Sequence, residues 1–316
     1  MTDLGDRLLL TEAWPDTLGR PATTQGNYGR NGNLEIVACA ADYGLLVGWF
    51  NTEDEDDHSG AAVGRWSGAL RFGGELRYVT STITQVSHGP DYLEVLALTD
   101  GGSLRRLVWA PETGFVDQGA FAEDVTAHSA VHELVDGTLV AALVTGGRAR
   151  LAHAYPGSGY PRLTLDMGPA QVGDAVQDID LVEHGRHLDL LATDVDGCVR
   201  LWCDGVNSVV AEGIHAARLA RSTGRTAVLL LDGTSAHVHD LRSNTRLDLG
   251  AAQAGAIAPS HLPDGTRWEV LLRDGGTIRH TRIRVGANAA ESSLPVRAEV
   301  WVAQGTRTSH RPPESF

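Results

Sequence analysis

Thirteen histidines are the groups in this 316-residue sequence best suited to chemistry, because imidazole exchanges a proton near neutral pH and ligates metals. There is no lysine, so all 26 basic residues are arginine. Schiff-base catalysis, pyridoxal phosphate anchoring and the phosphate-loop lysine are thereby excluded. Two histidine pairs are spaced to put both rings on one face of a strand: His128 with His132, and His237 with His239 in AHVHD. Either pair offers two metal ligands, but a site needs a third group, and no metal is expected. HELVD from His132 lacks the second histidine of a zinc-protease helix. TDVDGCVRLW from Thr193 spaces Asp194 and Asp196 like a calcium loop, yet lacks the further carboxylates a hard cation wants, so it reads as a turn. With no G-x-S-x-G, G-x-G-x-x-G or paired C-x-x-C motif, hydrolase elbows, dinucleotide folds and zinc ribbons have no support, and no cofactor is expected.

What must position any such groups is a repeat. A short apolar strand followed by a glycine-containing turn recurs as NLEIVACAADYG from Asn33, YLEVLALTDGG from Tyr92, TLVAALVTGG from Thr138, HLDLLATDVDG from His187, RTAVLLLDG from Arg225 and RWEVLLRDGG from Arg267. Measured between Leu34, Leu93, Leu139, Leu188, Thr226 and Trp268, the steps are 59, 46, 49, 38 and 42 residues. A third strand follows each turn, several ending in an aromatic such as Phe50, Trp109, Tyr155 or Trp202, with Trp49 and Trp109 read as equivalent. A fourth follows in RWSGALRFGG, RLTLDMG, SVVAEG and TRLDLG, and a shorter one precedes in STITQVSHG, DIDLVEHG and HAARLARSTG. Four strands per repeat joined by D-G and G-G turns make a β-propeller blade, and no stretch has a sustained helical period. The expectation is an all-β chain forming one propeller domain over 1–316, with seven four-stranded blades favoured over six. The N-terminal RLLLTEAW and C-terminal RAEVWVAQ segments are expected to pair and close the ring. The long first step marks an acidic insertion loop at 51–64, and a frayed tail is expected from about 305 to 316.

In a propeller the first strand of each blade lines the axis, so residues distant in sequence converge there. Counting back from the loop after each first strand aligns Thr23, Thr80, His128, Val176, His215 and Ala256, with Gln25, Thr82, Asp178 and Arg218 as neighbours at that level. Were the chain an enzyme, His128 and His215 would carry acid–base chemistry, with Asp178 orienting one of them. Arg218, Thr23, Gln25, Thr80 and Thr82 would bind the ligand, the arginine fork suiting a carboxylate or phosphate.

The run DYLEVLALTDGGSLRRLVWAPETGFVDQG, and the pair NLEIVACAADYG with GRWSGALRFGG, resemble the blade repeat of PLL-type bacterial lectins and related sialidase-like propeller repeats. That resemblance spans roughly 33 to 285 and implies seven blades with shallow sites for fucose or other sugars between them. Only the first repeat keeps the WSG element, at Trp66 to Gly68, so no binding residue of the family is transferred to a position here.

Two functions follow as expectations: a lectin-like propeller binding a carbohydrate or similar polar small ligand, and alternatively an enzyme of lyase, isomerase, cyclase or hydrolase type with one axial site. Composition narrows the partners. A formal charge of −14 opposes binding to a phosphate backbone or an anionic membrane surface, so neither nucleic acid nor membrane is expected. Cys39, Cys198 and Cys203 are too few for a disulfide framework. With no cationic, apolar leader at the start, the reading is a soluble cytoplasmic protein.

Overall fold

The computed structural model describes residues 10–11, 14–27, 32–52, 66–86, 92–111, 113–154, 164–166, 175–184, 187–222, 224–262, 265–284 and 298–302. Every described element is a β-strand. Strands β1 (Leu10–Thr11), β2 (Thr17–Gln25), β3 (Leu34–Ala40), β4 (Leu45–Phe50), β5 (Ala69–Phe72), β6 (Tyr78–Val86), β7 (Tyr92–Thr99), β8 (Leu104–Ala110) and β9 (Gly114–Ala122) form one sheet ordered β1-β5-β4-β3-β2-β6-β7-β8-β9. A five-stranded sheet follows, β10 (Val125–His128), β11 (His132–Glu133), β12 (Leu139–Thr145), β13 (Arg148–Ala154) and β14 (Thr164–Asp166). Three four-stranded meanders complete the set. They are β15 (Val176–His184) to β18 (Val206–Ala211) through β16 (His187–Asp194) and β17 (Val199–Cys203); β19 (Ala216–Ser222) to β22 (Thr245–Ala251) through β20 (Arg225–Leu231) and β21 (Ser235–Asp240); and β23 (Ala254–Leu262) to β26 (Ala298–Val302) through β24 (Gly265–Asp274) and β25 (Thr277–Arg284).

The arrangement is propeller-like, but the expected blade count is corrected. Among the described residues neither seven nor six separate blades is present: four small sheets stand alone, and the other described strands are two meanders fused into one sheet by a single parallel pairing, Arg20 with Thr80. The closing pair is corrected too. β1 joins β5 through Leu10–Leu70 and Thr11–Ala69, whereas β26 joins β25 through Ala298–Ile283 to Val302–Arg279. Each terminal strand thus extends the outer edge of a different sheet, where unpaired backbone groups make any short strand welcome. Most of the acidic insertion, at 53–64, and the tail from 305 lie outside the described residues.

The repeated apolar runs are the second strands β3, β7, β12, β16, β20 and β24, and they read as continuous rather than alternating because both faces are covered. All seven residues of LEIVACA in β3 are buried. Apolar clusters lie between successive meanders: Val37, Cys39 and Phe72 pack on Tyr78, Val95 and Leu107 within the fused sheet, and Leu96 and Leu104 pack on Leu139 and Leu143 of the next. Ile36 and Ala38 of β3 pack against Ala256, Leu271 and Ile278 of the last sheet. There the first and last sheets also share hydrogen bonds, with Thr17 N–H donating to Gly276 O at 2.9 Å.

The tryptophan equivalence fails by one residue. Trp49 lies opposite Glu35, but Trp109 lies opposite Leu93, so Phe50, opposite Leu34, holds the place of Trp109. A one-residue offset reverses the face of a strand. Trp109 packs half-buried beside Leu93, Val95 and Phe115. Trp109→Ala is expected to cost about 2–3 kcal/mol, less than a fully buried tryptophan, measured as a lower urea midpoint.

Candidate functional site

The first strands β2, β6, β10, β15, β19 and β23 surround a cavity of about 290 Å³. Its principal polar groups are Arg20, Thr80, His128, Asp178, His215 and Arg218, joined by Thr126, Gln177, Gln253 and Arg273. Of the residues expected on the axis, Thr80, His128, Asp178, His215 and Arg218 are brought together. Thr23, Gln25 and Thr82 are not on the cavity wall. Thr23 donates its hydroxyl to Glu35 O at 2.9 Å, Gln25 Nε2 to His261 O at 3.2 Å, and Thr82 to Ser129 O at 3.3 Å, all backbone ties within or between sheets. Val176 and Ala256 are buried in apolar clusters.

Bulges explain the altered level. The pairing register shifts on β2 between Leu18 and Ala22, on β6 between Tyr78 and Thr80, on β10 between Val125 and Ala127, and on β15 between Val176 and Asp178. An extra residue in a strand re-aims its side chains, which puts Arg20, Thr126 and Gln177 on the cavity wall. The β2 bulge requires its glycine. Gly19 has φ +64°, and a Cβ there would stand 1.6 Å from Val79 O of β6. The run Gly19-Arg20-Pro21 was the available signal, since proline inside a strand marks a bulge or an edge. Arg273 carried none, because it lies near the end of a second strand.

His128 is 1% exposed, and burial first, with the Arg20 charge second, pushes its pKa down to about 3. The ring is therefore neutral at pH 7. Its Nδ1 is 3.1 Å from Ser129 O, which can only accept, so Nδ1 carries the proton and Nε2 accepts from the Thr80 hydroxyl at 2.9 Å. Arg20 Nη2 donates to His128 O at 2.6 Å. Arg218 pairs with Asp178, whose carboxylate also accepts the Ala217 N–H at 3.3 Å. Behind them Asp180 accepts the Leu219 N–H at 2.8 Å, and burial raises its pKa against the pull of Arg218 and Arg20. His215 is exposed, and its carbonyl accepts from Gln177 Nε2 at 3.2 Å.

The other histidine pairs are placed separately. His132 is pushed down to about 4 by burial, and His239 Nε2 meets Asn244 Oδ1 at 3.0 Å. Among the described residues no three His, Cys, Asp or Glu side chains gather as a metal site. Asp194 Oδ1 accepts the N–H groups of Asp196 and Cys198 at 3.0 and 2.9 Å, which makes TDVDG a side-chain-stapled turn. The three cysteines are free thiols. No described helix exists that is long and apolar enough to cross a membrane.

These features define a propeller-like all-β chain with a polar axial cavity, and the solved structures that resemble it in fold include both lectins and enzymes. Among the enzymes, an aldose sugar dehydrogenase from Streptomyces coelicolor matches with a TM-score of 0.53 at 12% identity, over 89% of this chain and 98% of that one. The BP39L lectin from Burkholderia pseudomallei matches with a TM-score of 0.59 at 14% identity, over 86% of this chain and 83% of that one. The SapL1 lectin in complex with alpha methyl fucoside matches with 0.58 at 16%, over 92% and 96%. A lectin of Aleuria aurantia in complex with Fucalpha1-6GlcNAc matches with 0.62 at 10%, over 94% and 100%. No family model matches the sequence, and no curated protein does.

Proposed function

We propose that this chain is a lectin-like propeller, a single domain closed into a ring, that binds a carbohydrate or similar polar small ligand in its axial cavity. The observation that carries the reading is the convergence of Thr80 of β6, Gln177 and Asp178 of β15, Arg218 of β19 and Gln253 just before β23 on one cavity of about 290 Å³. That volume is at the small end for ligand sites, typically ~300–1,000 Å³, and suits one monosaccharide unit. The lectins that share the fold, and the PLL-type repeat resemblance, point to the same ligand class. A nucleic-acid or membrane partner does not fit the acidic charge, and the free cysteines suit a cytoplasmic setting.

The enzyme reading is weaker, for a physical reason. A general base must gain a proton near the working pH, and a histidine held neutral down to about pH 3 by burial and Arg20 does not. His215, on the same cavity, lacks a described carboxylate partner to orient it.

A glycan array on the full chain, followed by Ala216→Met and Ala254→Met, tests the binding reading. Both alanines line the cavity and are only half-buried, Ala216 also standing beside an apolar cluster, so a longer side chain has cavity space to enter. Binding is expected on the array and should weaken at least ~10-fold in both variants, with melting temperatures unchanged. An array with no bound glycan, or variants that bind as the wild type does, would overturn the assignment.

A further inference from the structure

The cavity reverses the sign of the molecule. The chain carries −14 overall, yet three guanidinium groups, Arg20, Arg218 and Arg273, line the cavity beside one carboxylate, Asp178. Arg20 and Arg218 are 5% and 8% exposed. Their bonds leave donors over: Arg20 gives Nη2 to His128 O, and Arg218 gives Nη1 to Asp178 and to Ala217 O, while the buried Nε of each has no acceptor. Buried N–H groups are almost always satisfied, and those on a cation most of all. Arg273 is tied differently, with Nε donating to Gly19 O at 2.6 Å and Nη1 to Gln253 Oε1 at 3.1 Å, and so supplies charge more than free donors.

Electrostatics agree with the geometry. Burial first and the Arg218 charge second bring the Arg20 pKa down to about 10, although Asp178 and Asp180 oppose this. The two buried cations thus lie within electrostatic reach of each other and of the Asp178 and Asp180 carboxylates. An anion on the cavity wall beside them would relieve part of their mutual repulsion.

We propose that the axial cavity binds an acidic carbohydrate, its carboxylate held by Arg20 and Arg218 and its hydroxyls by the Thr80, Gln177 and Gln253 side chains. The assignment rests on the carbohydrate reading above and adds the charge of the ligand. A planar carboxylate matches the guanidinium fork, and the cavity leaves room for about one sugar ring.

Calorimetric titration of the full chain with glucose and glucuronate, galactose and galacturonate, and inorganic phosphate tests it. At least one acid is expected to bind about tenfold or more tightly than its neutral counterpart, since charge-assisted hydrogen bonds are the stronger kind. The variant Arg218→Met/Asp178→Asn removes the ion pair as a unit, so neither charge is left buried alone, and should erase that preference while the melting temperature holds. A neutral sugar that binds as well as its acid overturns the anion assignment and leaves the carbohydrate reading intact. Phosphate that binds as tightly as the uronates supports the anion site and overturns the carbohydrate reading. An acid preference that survives the double variant, or no binding of any probe, overturns the proposal.

Discussion

Glu269→Ala is expected to destabilise the protein by about 3–5 kcal/mol, the usual cost of removing one partner of a buried charged cluster. The Glu269 carboxylate is fully buried and accepts from Ser260 Oγ at 2.6 Å, His280 Nε2 at 2.7 Å and Arg282 Nε at 2.8 Å. Alanine would strand all three donors. His280 and Arg282 also hold the aromatic contact between the last sheet and the first. The His280 ring is 5.2 Å from Phe50 and 5.3 Å from Trp66, and Arg282 lies 5.0 Å from the Phe50 centroid. Burial alone would raise the Glu269 pKa, but His280, Arg282 and Ser260 outweigh it and the net shift is downward. A carboxylate with a lowered folded pKa adds stability above its unfolded value of about 4.3, and that stability is lost as the pH falls through the folded value. Urea titrations at pH 7 and pH 3 should therefore show a large deficit for the variant at pH 7 and a smaller one at pH 3. Equal deficits would mean that packing, not charge, sets the cost.

Glu35→Gln is expected to do the reverse and stabilise. Glu35, Glu94, Asp189 and Glu269 occupy the same place in their second strands, in LEIV, LEVL, LDLL and WEVL, and all four are buried. Three have cations: Glu94 meets Arg106, Asp189 meets Arg221, and Glu269 meets Arg282. Glu35 has no such partner among the described residues, because Trp49 faces it where Arg282 faces Glu269, and Val47 faces Val37 where Arg106 faces Leu96. Burial accordingly raises its pKa to about 8. The sign is the opposite of the Glu269 case. The unfolded chain ionises near 4.3 and the folded one near 8, so stability drops as the pH rises between these values and is level above. Glutamine copies the neutral acid, so the variant should gain on the order of 3 kcal/mol at pH 7, at about 1.4 kcal/mol per pKa unit, and nothing near pH 4. Thermal melts across that range check it. A gain that does not grow with pH would show that Glu35 is ionised in the folded state.

Legibility in the sequence followed burial. The second strands were plain because covering both faces leaves long apolar runs that end at glycine turns, as in LEIVACA before Asp42-Tyr43-Gly44 and YLEVLALT before Asp100-Gly101. The terminal strands were not, since a two-residue strand such as Leu10–Thr11 pairs through backbone groups that carry no residue code. For the same reason the closing pair and the blade count were misjudged. At the axis, counting residues placed His128, His215 and Asp178 on one cavity but put Val176 there too, which the bulge on β15 turns into an apolar cluster. It missed Arg20, as the bulge after Leu18 displaces β2 by several positions. Trp49 and Trp109 failed likewise: an ending in tryptophan reveals the strand but not which face the ring takes.

The bulges have a consequence for how such a molecule changes over evolutionary time. A residue inserted out of the ladder is released from the two-residue alternation that ties every other position to a packed face. Thr126 and Gln177 each stand at such a point, on two different strands. Their replacement leaves the flanking register and the apolar contacts between sheets in place, so the lining of the axis can be rewritten one strand at a time. Ligand preference is in that sense modular, and a lineage could drift from one ligand to another without passing through an unstable ancestor.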